Sequence, residues 1–348
     1  PGAVGMALAR LLGVGALGCL YGGRIVILLA YTLLCALALA KAERYCPAFA
    51  ASMLLPMSLF MGASLSYDAT LLGCYYLMLA LLTRKEWNTQ TAGIYTAACI
   101  FVNIAKPYLN LLWVLPIFLV AKREWHAKGR RPLWALGGFG GAMAVTLLTE
   151  WYGTAFRYNY PIIERQGGST VNGGEQLAFV LRNPLRTVAA FWGTLGENDF
   201  FIGQLGLFGW KDLPISFLNL TGPLVLLLAA LLAAAQPKRA DAFPTRRRVG
   251  GAALLALVYA AGAMAAMYIT YTPVGMVRIV GLQARYFLCV WLALLPALAV
   301  LLRKTICPAI TEEKAEAAIT PLCACYAVLG AVLLFQHYFV GPVYVVYA

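Results

Sequence analysis

The residues best able to do chemistry in this sequence are few, and they lie beside long apolar runs. Lys106 stands in Lys106-Pro107-Tyr108, inside an apolar stretch from 91 to 121. Arg278, Gln283, Arg285 and Tyr286 cluster just ahead of another apolar run, and Asp68 ends the polar break Ser64-Leu65-Ser66-Tyr67-Asp68. Ionisable groups at membrane depth are costly and mark function by default. An ammonium fixed at Lys106 in a water-filled cavity suits a phosphate or diphosphate headgroup. The plainer reading is a lysine snorkelling to the interface. If the stretch before the run 285–302 is helical, Arg278 and Arg285 are seven residues apart and share a face. Two guanidiniums and a phenol at an outer helix start would bind an anionic headgroup. The plainer reading there is an interfacial Arg/Tyr anchor. At Asp68, helix capping by Ser66 or Asp68 competes with a direct role in a polar site, where Asp68 is a weak candidate for a catalytic acid.

Other ionisable groups carry less. Glu150, Glu164, Glu175, Glu197, Asp199 and Asp212 are acids outside the apolar runs. Glu197-Asn198-Asp199 is the densest, and paired acids in a loop usually mean solvation. Nine cysteines look like a framework, yet Cys19, Cys35, Cys74, Cys99, Cys289, Cys323 and Cys325 lie within apolar runs without C-x-x-C spacing. They read as small packing residues. With only His126 and His337, a histidine metal cluster is excluded, and no metal ligand is assigned. There is no Walker A motif, dinucleotide fingerprint or G-x-S-x-G. Asn219-Leu220-Thr221 fits a glycosylation acceptor but sits at the start of an apolar run, so it is discounted.

The elements that must position these residues follow from composition. Of 348 residues, 62% are hydrophobic and 12% charged, with mean hydropathy +0.76. A soluble domain carries about 25% charged residues, so a soluble enzyme, a disordered chain, a coiled coil and a disulfide-stapled module are excluded. The net charge of +13 does not point to nucleic acid, because no basic stripe is interleaved with aromatics. The basic residues gather in short clusters between apolar runs, as the positive-inside rule produces. The fold class is therefore all-α, a polytopic transmembrane protein. At about 20 residues per span, about ten spans fit: 22–40, 46–64, 68–83, 91–105, 108–121, 133–151, 218–235, 250–270, 285–302 and 319–340. Clusters at Lys41/Arg44, Arg84/Lys85, 122–131, 238–248 and 303–314 then fall on one face, the cytoplasmic one, and hold well over half of the 27 basic residues. Residues 1–348 read as one transmembrane domain containing an external region, 152–217.

Two runs test the map. A single helix over 91–121 would be about 46 Å long, too long for a core of about 30 Å. It therefore becomes two short helices turning at Lys106-Pro107-Tyr108, since proline cannot continue the ladder. The run 46–83 turns in the same way at 64–68. Pro56, Pro116 and Pro296 are expected kinks. Residues 2–19 suit an outer-surface or re-entrant helix. Glu175–Trp192 reads as an amphipathic helix on the outer interface, broken by Asn183-Pro184. The aromatic segment 193–214 is expected to pack on the membrane surface, and Tyr338, Tyr344 and Tyr347 to form an aromatic belt. Because Lys41 and Arg44 follow the first span, residue 1 falls outside. A further span upstream of Pro1 is expected.

The stretch Leu54–Ala69, the tetrapeptide Ala105-Lys106-Pro107-Tyr108 and Gln283-Ala284-Arg285-Tyr286-Phe287 resemble motifs of a bacterial membrane family, domain of unknown function 2142, which is grouped with the GT-C glycosyltransferases. The resemblance covers nearly the whole chain. It implies a multi-span enzyme of the bacterial plasma membrane that moves a sugar from a polyprenyl-phosphate carrier to a cell-envelope glycan or polymer on the outer face. It implies a lipid-linked sugar donor as co-substrate, is compatible with a divalent cation, and makes membrane lipid and the acceptor glycan the partners. The catalytic acid of such enzymes lies in the first external loop, which would be upstream of Pro1. Asp68, Lys106, Gln283, Arg285 and Tyr286 are the positions carried by the motifs. Two alternatives stay open: a transporter or flippase of a lipid-linked or anionic substrate, and a non-catalytic membrane scaffold.

Overall fold

The computed structural model describes residues 1–84, 86–105, 114–120, 171–196, 205–209, 213–234, 246–302 and 312–340, with a few isolated positions between 137 and 148. The order is α1 Gly2–Leu11, α2 Ala16–Lys41, α3 Cys46–Leu54, α4 Pro56–Gly62, α5 Tyr67–Leu81, α6 Thr89–Ala105, α7 Leu115–Leu119, α8 Gly173–Arg182 and α9 Pro184–Leu195. Then come β1 Leu207–Phe208, β2 Leu213–Pro214, α10 Ser216–Ala234, α11 Arg246–Tyr271, a 3-10 turn Ala284–Phe287, α12 Leu288–Leu302, α13 Glu312–Phe335 and a π turn Gln336–Val340. The antiparallel pair β1–β2, with Leu207 opposite Pro214, is the only sheet among the described residues. The fold is mostly helical.

Ala16–Lys41, Arg246–Tyr271 and Ala317–Val340 are long and apolar enough to cross a membrane. No more than a third of each is buried against protein, so most of their apolar surface needs lipid. On α2 the exposed Leu17, Tyr21, Ile25, Leu29 and Leu33 recur every fourth residue, opposite the buried Gly23, Ile27, Tyr31 and Cys35. Gly2–Leu11, Tyr67–Leu81 and Ser216–Leu232 are apolar but shorter. Of the expected spans, 133–151 falls almost wholly outside the described residues. Pro56 and Pro116 do not kink helices. Each stands in the first turn of one, α4 and α7, where the missing N–H costs nothing.

The chain forms two compact units. In the first (1–80, 202–243 and 298–348), α3 is the centre. It packs against α2, α4, α10 and α13, and Ala48, Phe49, Ala51, Ser52 and Met53 are all buried. The chain enters it through Tyr45, buried and left-handed at φ 62. Burial pushes the Tyr45 phenol well above its ordinary pKa, against the pull of Arg44. The expected span 46–64 is broken, because Leu55 is extended and Pro56 has no N–H for the carbonyl of Ser52. Side chains replace the lost donors. The Ser58 hydroxyl donates to the Ser52 carbonyl at 2.7 Å, Tyr76 to the same oxygen at 3.0 Å, and Tyr31 to the Met53 carbonyl at 2.8 Å.

The apolar start of the chain is a helix, α1, paired with α2 around the turn at Gly13 (φ 74). The pair closes on bare backbone. A Cβ on Gly22 would lie 2.8 Å from the Gly5 carbonyl oxygen, and one on Gly5 would overlap the Gly22 carbonyl. Within 193–214, β1 packs on α4, with the Phe60 and Phe208 rings edge to face at 5.1 Å. Asn219 accepts the Gly206 N–H, and Thr221 shares a hydrogen bond with Tyr326 at 2.9 Å. The polar residues of that acceptor pattern are therefore structural. Cys35, Cys74, Cys99 and Cys323 are buried packing residues.

In the second unit (81–201 and 244–297), α7 and α8 pack on α11, and α8 on α9. Gly251 admits the Phe118 ring, which a Cβ would meet at 2.5 Å.

Candidate functional site

α11 ends at Tyr271, and the connection from there carries Arg278 and Gln283, two of the residues singled out in the sequence, while the 3-10 turn that follows carries Arg285 and Tyr286. The connection is irregular over 272–283, so the helical face expected to join Arg278 to Arg285 does not form. The cause is local. Gly275 and Gly281 lie at φ 75 and φ 77, the left-handed region where glycine has no Cβ penalty. At Gly281 space also forbids a side chain, since a Cβ would lie 2.6 Å from the Tyr271 ring.

Hydrogen bonds fix this irregular backbone. Thr272 Oγ1 donates to the Met267 carbonyl and accepts the Val280 N–H, both at 3.1 Å. The Tyr268 hydroxyl donates to the Met276 carbonyl at 2.7 Å. α8 and α9 supply the rest. Gln176 Oε1 accepts the Gly275 N–H at 2.9 Å, and Thr194 Oγ1 accepts the Ile279 N–H at 2.9 Å. Thr194 in turn donates to the Ala190 carbonyl at 2.7 Å. Below these bonds Ala190, Met264, Tyr268, Ile279 and Leu282 form an apolar cluster, with Phe191, Tyr286 and Phe287 against it.

The predicted site residues divide as follows. Tyr286 is half-buried against that cluster, and its N–H donates to the Gln283 carbonyl at 3.1 Å. Gln283 Oε1 is buried and meets no donor among the described residues. Arg278 is exposed. The backbone of Arg285 lies in the 3-10 turn, and its side chain is outside the described part. Lys106 lies outside the described residues, as do Glu150, Glu164, Glu197, Asp199 and Asp212. Asp68 belongs to the first unit, in the opening turn of α5. Capping there falls to Ser66, whose Oγ accepts the Asp68 N–H at 3.1 Å. The Asp68 carboxylate gains from the helix dipole.

The amphipathic segment 175–192 is two helices meeting at Asn183. Asn172 caps α8, accepting the N–H of Gly174 at 3.1 Å and of Glu175 at 3.2 Å. Pro184 opens α9. Their faces are inverted relative to a helix whose outer side meets water. Gln176, Thr187 and Thr194 are buried against the protein, Gln176 at 0% exposure. Leu177, Leu181 (73%), Leu185 (84%), Val188 and Trp192 (77%) point away from it. A cavity of about 260 Å³ opens beside the hairpin, lined by Phe179, Arg186, Ala190, Tyr268, Met276 and Val277 among others.

Sequence reasoning singled out neither Gln176 nor Thr194, which anchor the connection, nor Arg186, which lines the cavity. For Gln176 and Thr194 the signal was present as polar residues on one face of an amphipathic helix pair. Arg24 was also missed; its Nε donates to the Ala63 carbonyl at the end of α4, at 2.7 Å.

No curated protein and no solved structure matches the chain. A family model described as predicted membrane protein DUF2142 matches residues 1–294. With that match over most of its length, and with helices able to span a bilayer, the chain belongs to the DUF2142 family of membrane proteins.

Proposed function

We propose that the protein is a glycosyltransferase of the bacterial plasma membrane, moving a sugar from a polyprenyl-phosphate carrier to a cell-envelope glycan on the outer face. The observation that supports this reading best is the 278–286 segment. It brings two arginines, a glutamine whose buried oxygen meets no donor among the described residues and a tyrosine to the end of a spanning helix. In the reaction an acceptor hydroxyl gives its proton to a carboxylate base. Its oxygen bonds to the anomeric carbon, and the bond from that carbon to the carrier phosphate breaks, the electron pair leaving with the phosphate. Lys106 and Arg285 are assigned to that developing charge, where fixed cations contribute most. The base is unassigned, and Asp68 is a weak candidate for it.

The test is sugar transfer from a labelled polyprenyl-phosphate sugar, in membranes of cells making the protein. Lys106→Ala and Arg285→Ala should each lower transfer by about 100-fold, roughly 2.7 kcal/mol of barrier. Wild-type transfer in both variants overturns the assignment. The break at Leu55 favours a second reading, a flippase, since transporters use discontinuous helices. Movement of the lipid-linked sugar across vesicles with no new glycosidic bond would select it. A scaffold would keep its partner in both variants.

A further inference from the structure

We propose that the cavity beside α8 and α9 binds one phosphate-bearing lipid of the outer leaflet, with the Arg186 guanidinium on the phosphate. Depth comes from α11. It opens at Arg246-Arg247-Arg248; Arg248 donates to the Val120 carbonyl, and the exposed Arg246 and Arg247 stay among the headgroups of the cytoplasmic face. A core of about 30 Å takes about 20 residues at 1.5 Å each. The hydrocarbon therefore ends near Tyr268, and the last turn of α11 stands at outer headgroup level. The α8–α9 hairpin and residues 275–280 are bonded to this end of the helix and share its depth.

The inverted faces identify the surroundings. Leu181, Leu185 and Trp192 would each expose apolar surface to water at about 25 cal/mol per Å², while Gln176 and Thr194 are spent inward on backbone N–H groups. That arrangement is stable only where the outer side meets lipid. The cavity fits a lipid's polar end. Its walls are mostly apolar, and the Tyr268 hydroxyl is committed to the Met276 carbonyl. Arg186 supplies the charge and has no acidic partner among the described residues. Guanidinium binds phosphate oxygens in pairs. At about 260 Å³ the space is smaller than a pocket for a whole drug-sized ligand. It takes the phosphate and the first carbons, and the chain continues into the bilayer.

The glycosyltransferase reading enters only in choosing the source of the phosphate, a polyprenyl carrier over bulk phospholipid. Binding is therefore measured without turnover. The full chain is placed in phosphatidylcholine discs doped with either long-chain polyprenyl phosphate or phosphatidylglycerol, and the lipid retained after extraction is read by native mass spectrometry. Arg186→Ala and the cavity-filling Met276→Trp should each cut retention at least tenfold. Arg182→Ala, at the end of α8 and outside the lining, should leave it unchanged. This pattern with polyprenyl phosphate alone supports the site and makes the carrier its ligand. The same pattern with phosphatidylglycerol supports the site and makes bulk lipid its ligand. Equal retention in every variant overturns the proposal, as does equal loss in Arg182→Ala and Arg186→Ala, which would reduce it to surface charge. Arg186 is exposed, and an unchanged elution profile and melting temperature for Arg186→Ala verify that binding, not folding, is read. Absence of sugar transfer by the wild-type protein, with its retention of polyprenyl phosphate intact, would count against the enzyme reading alone.

Discussion

The carbonyl of Ser52 has two hydroxyl donors, Ser58 and Tyr76, in a place where the helix supplies none. Removing one donor leaves the other. Ser58→Ala or Tyr76→Phe should cost about 0.6–1 kcal/mol, the usual worth of a hydrogen bond between membrane helices. The double variant strands a buried carbonyl, and should cost about 1–3 kcal/mol beyond the sum of the singles. Thermal unfolding in detergent measures both. Gly281→Ala should lower the melting temperature and speed proteolysis between 272 and 283. Alanine at φ 77 is strained, and its Cβ would meet the Tyr271 ring. At this scale the sequence was legible where chemistry is local, as with Ser66 before the helix it caps. It was silent on Gln176, Thr194 and Tyr76, because each bonds to backbone far along the chain and no spacing rule records that.

At the scale of elements, apolar runs and their breaks were readable. The turn at 64–68, the break at Asn183 and the helix α1 all stand near their expected places. What could not be read was how a break is repaired, or that residues 272–283 avoid helix through two left-handed glycines. The α1–α2 pair tests the close approach. Gly5→Leu places a side chain against the Gly22 carbonyl, so α1 must lift off. Thermal stability should fall, and α1 should become open to protease. Gly15→Leu, in open space at the same turn, should leave both unchanged.

For the whole molecule, the charge clusters predict an orientation that no single contact reveals. In a cysteine-free background, Arg182→Cys should react with an impermeant maleimide in intact cells, and Arg246→Cys only after lysis. The reverse pattern would invert the topology and remove the hairpin from the outer face. Membrane character was legible from composition alone, because scarcity of charge is a property of the whole surface. The two compact units were not, since each draws on segments scattered along the chain. One consequence concerns how such a protein can change over time. The hairpin grips the following connection through that connection's own backbone, at Gly275 and Ile279. The side chains of Met276 and Val277 are left out of the grip. Substitutions there can change the exposed surface without breaking the hydrogen bonds that Gln176 and Thr194 make.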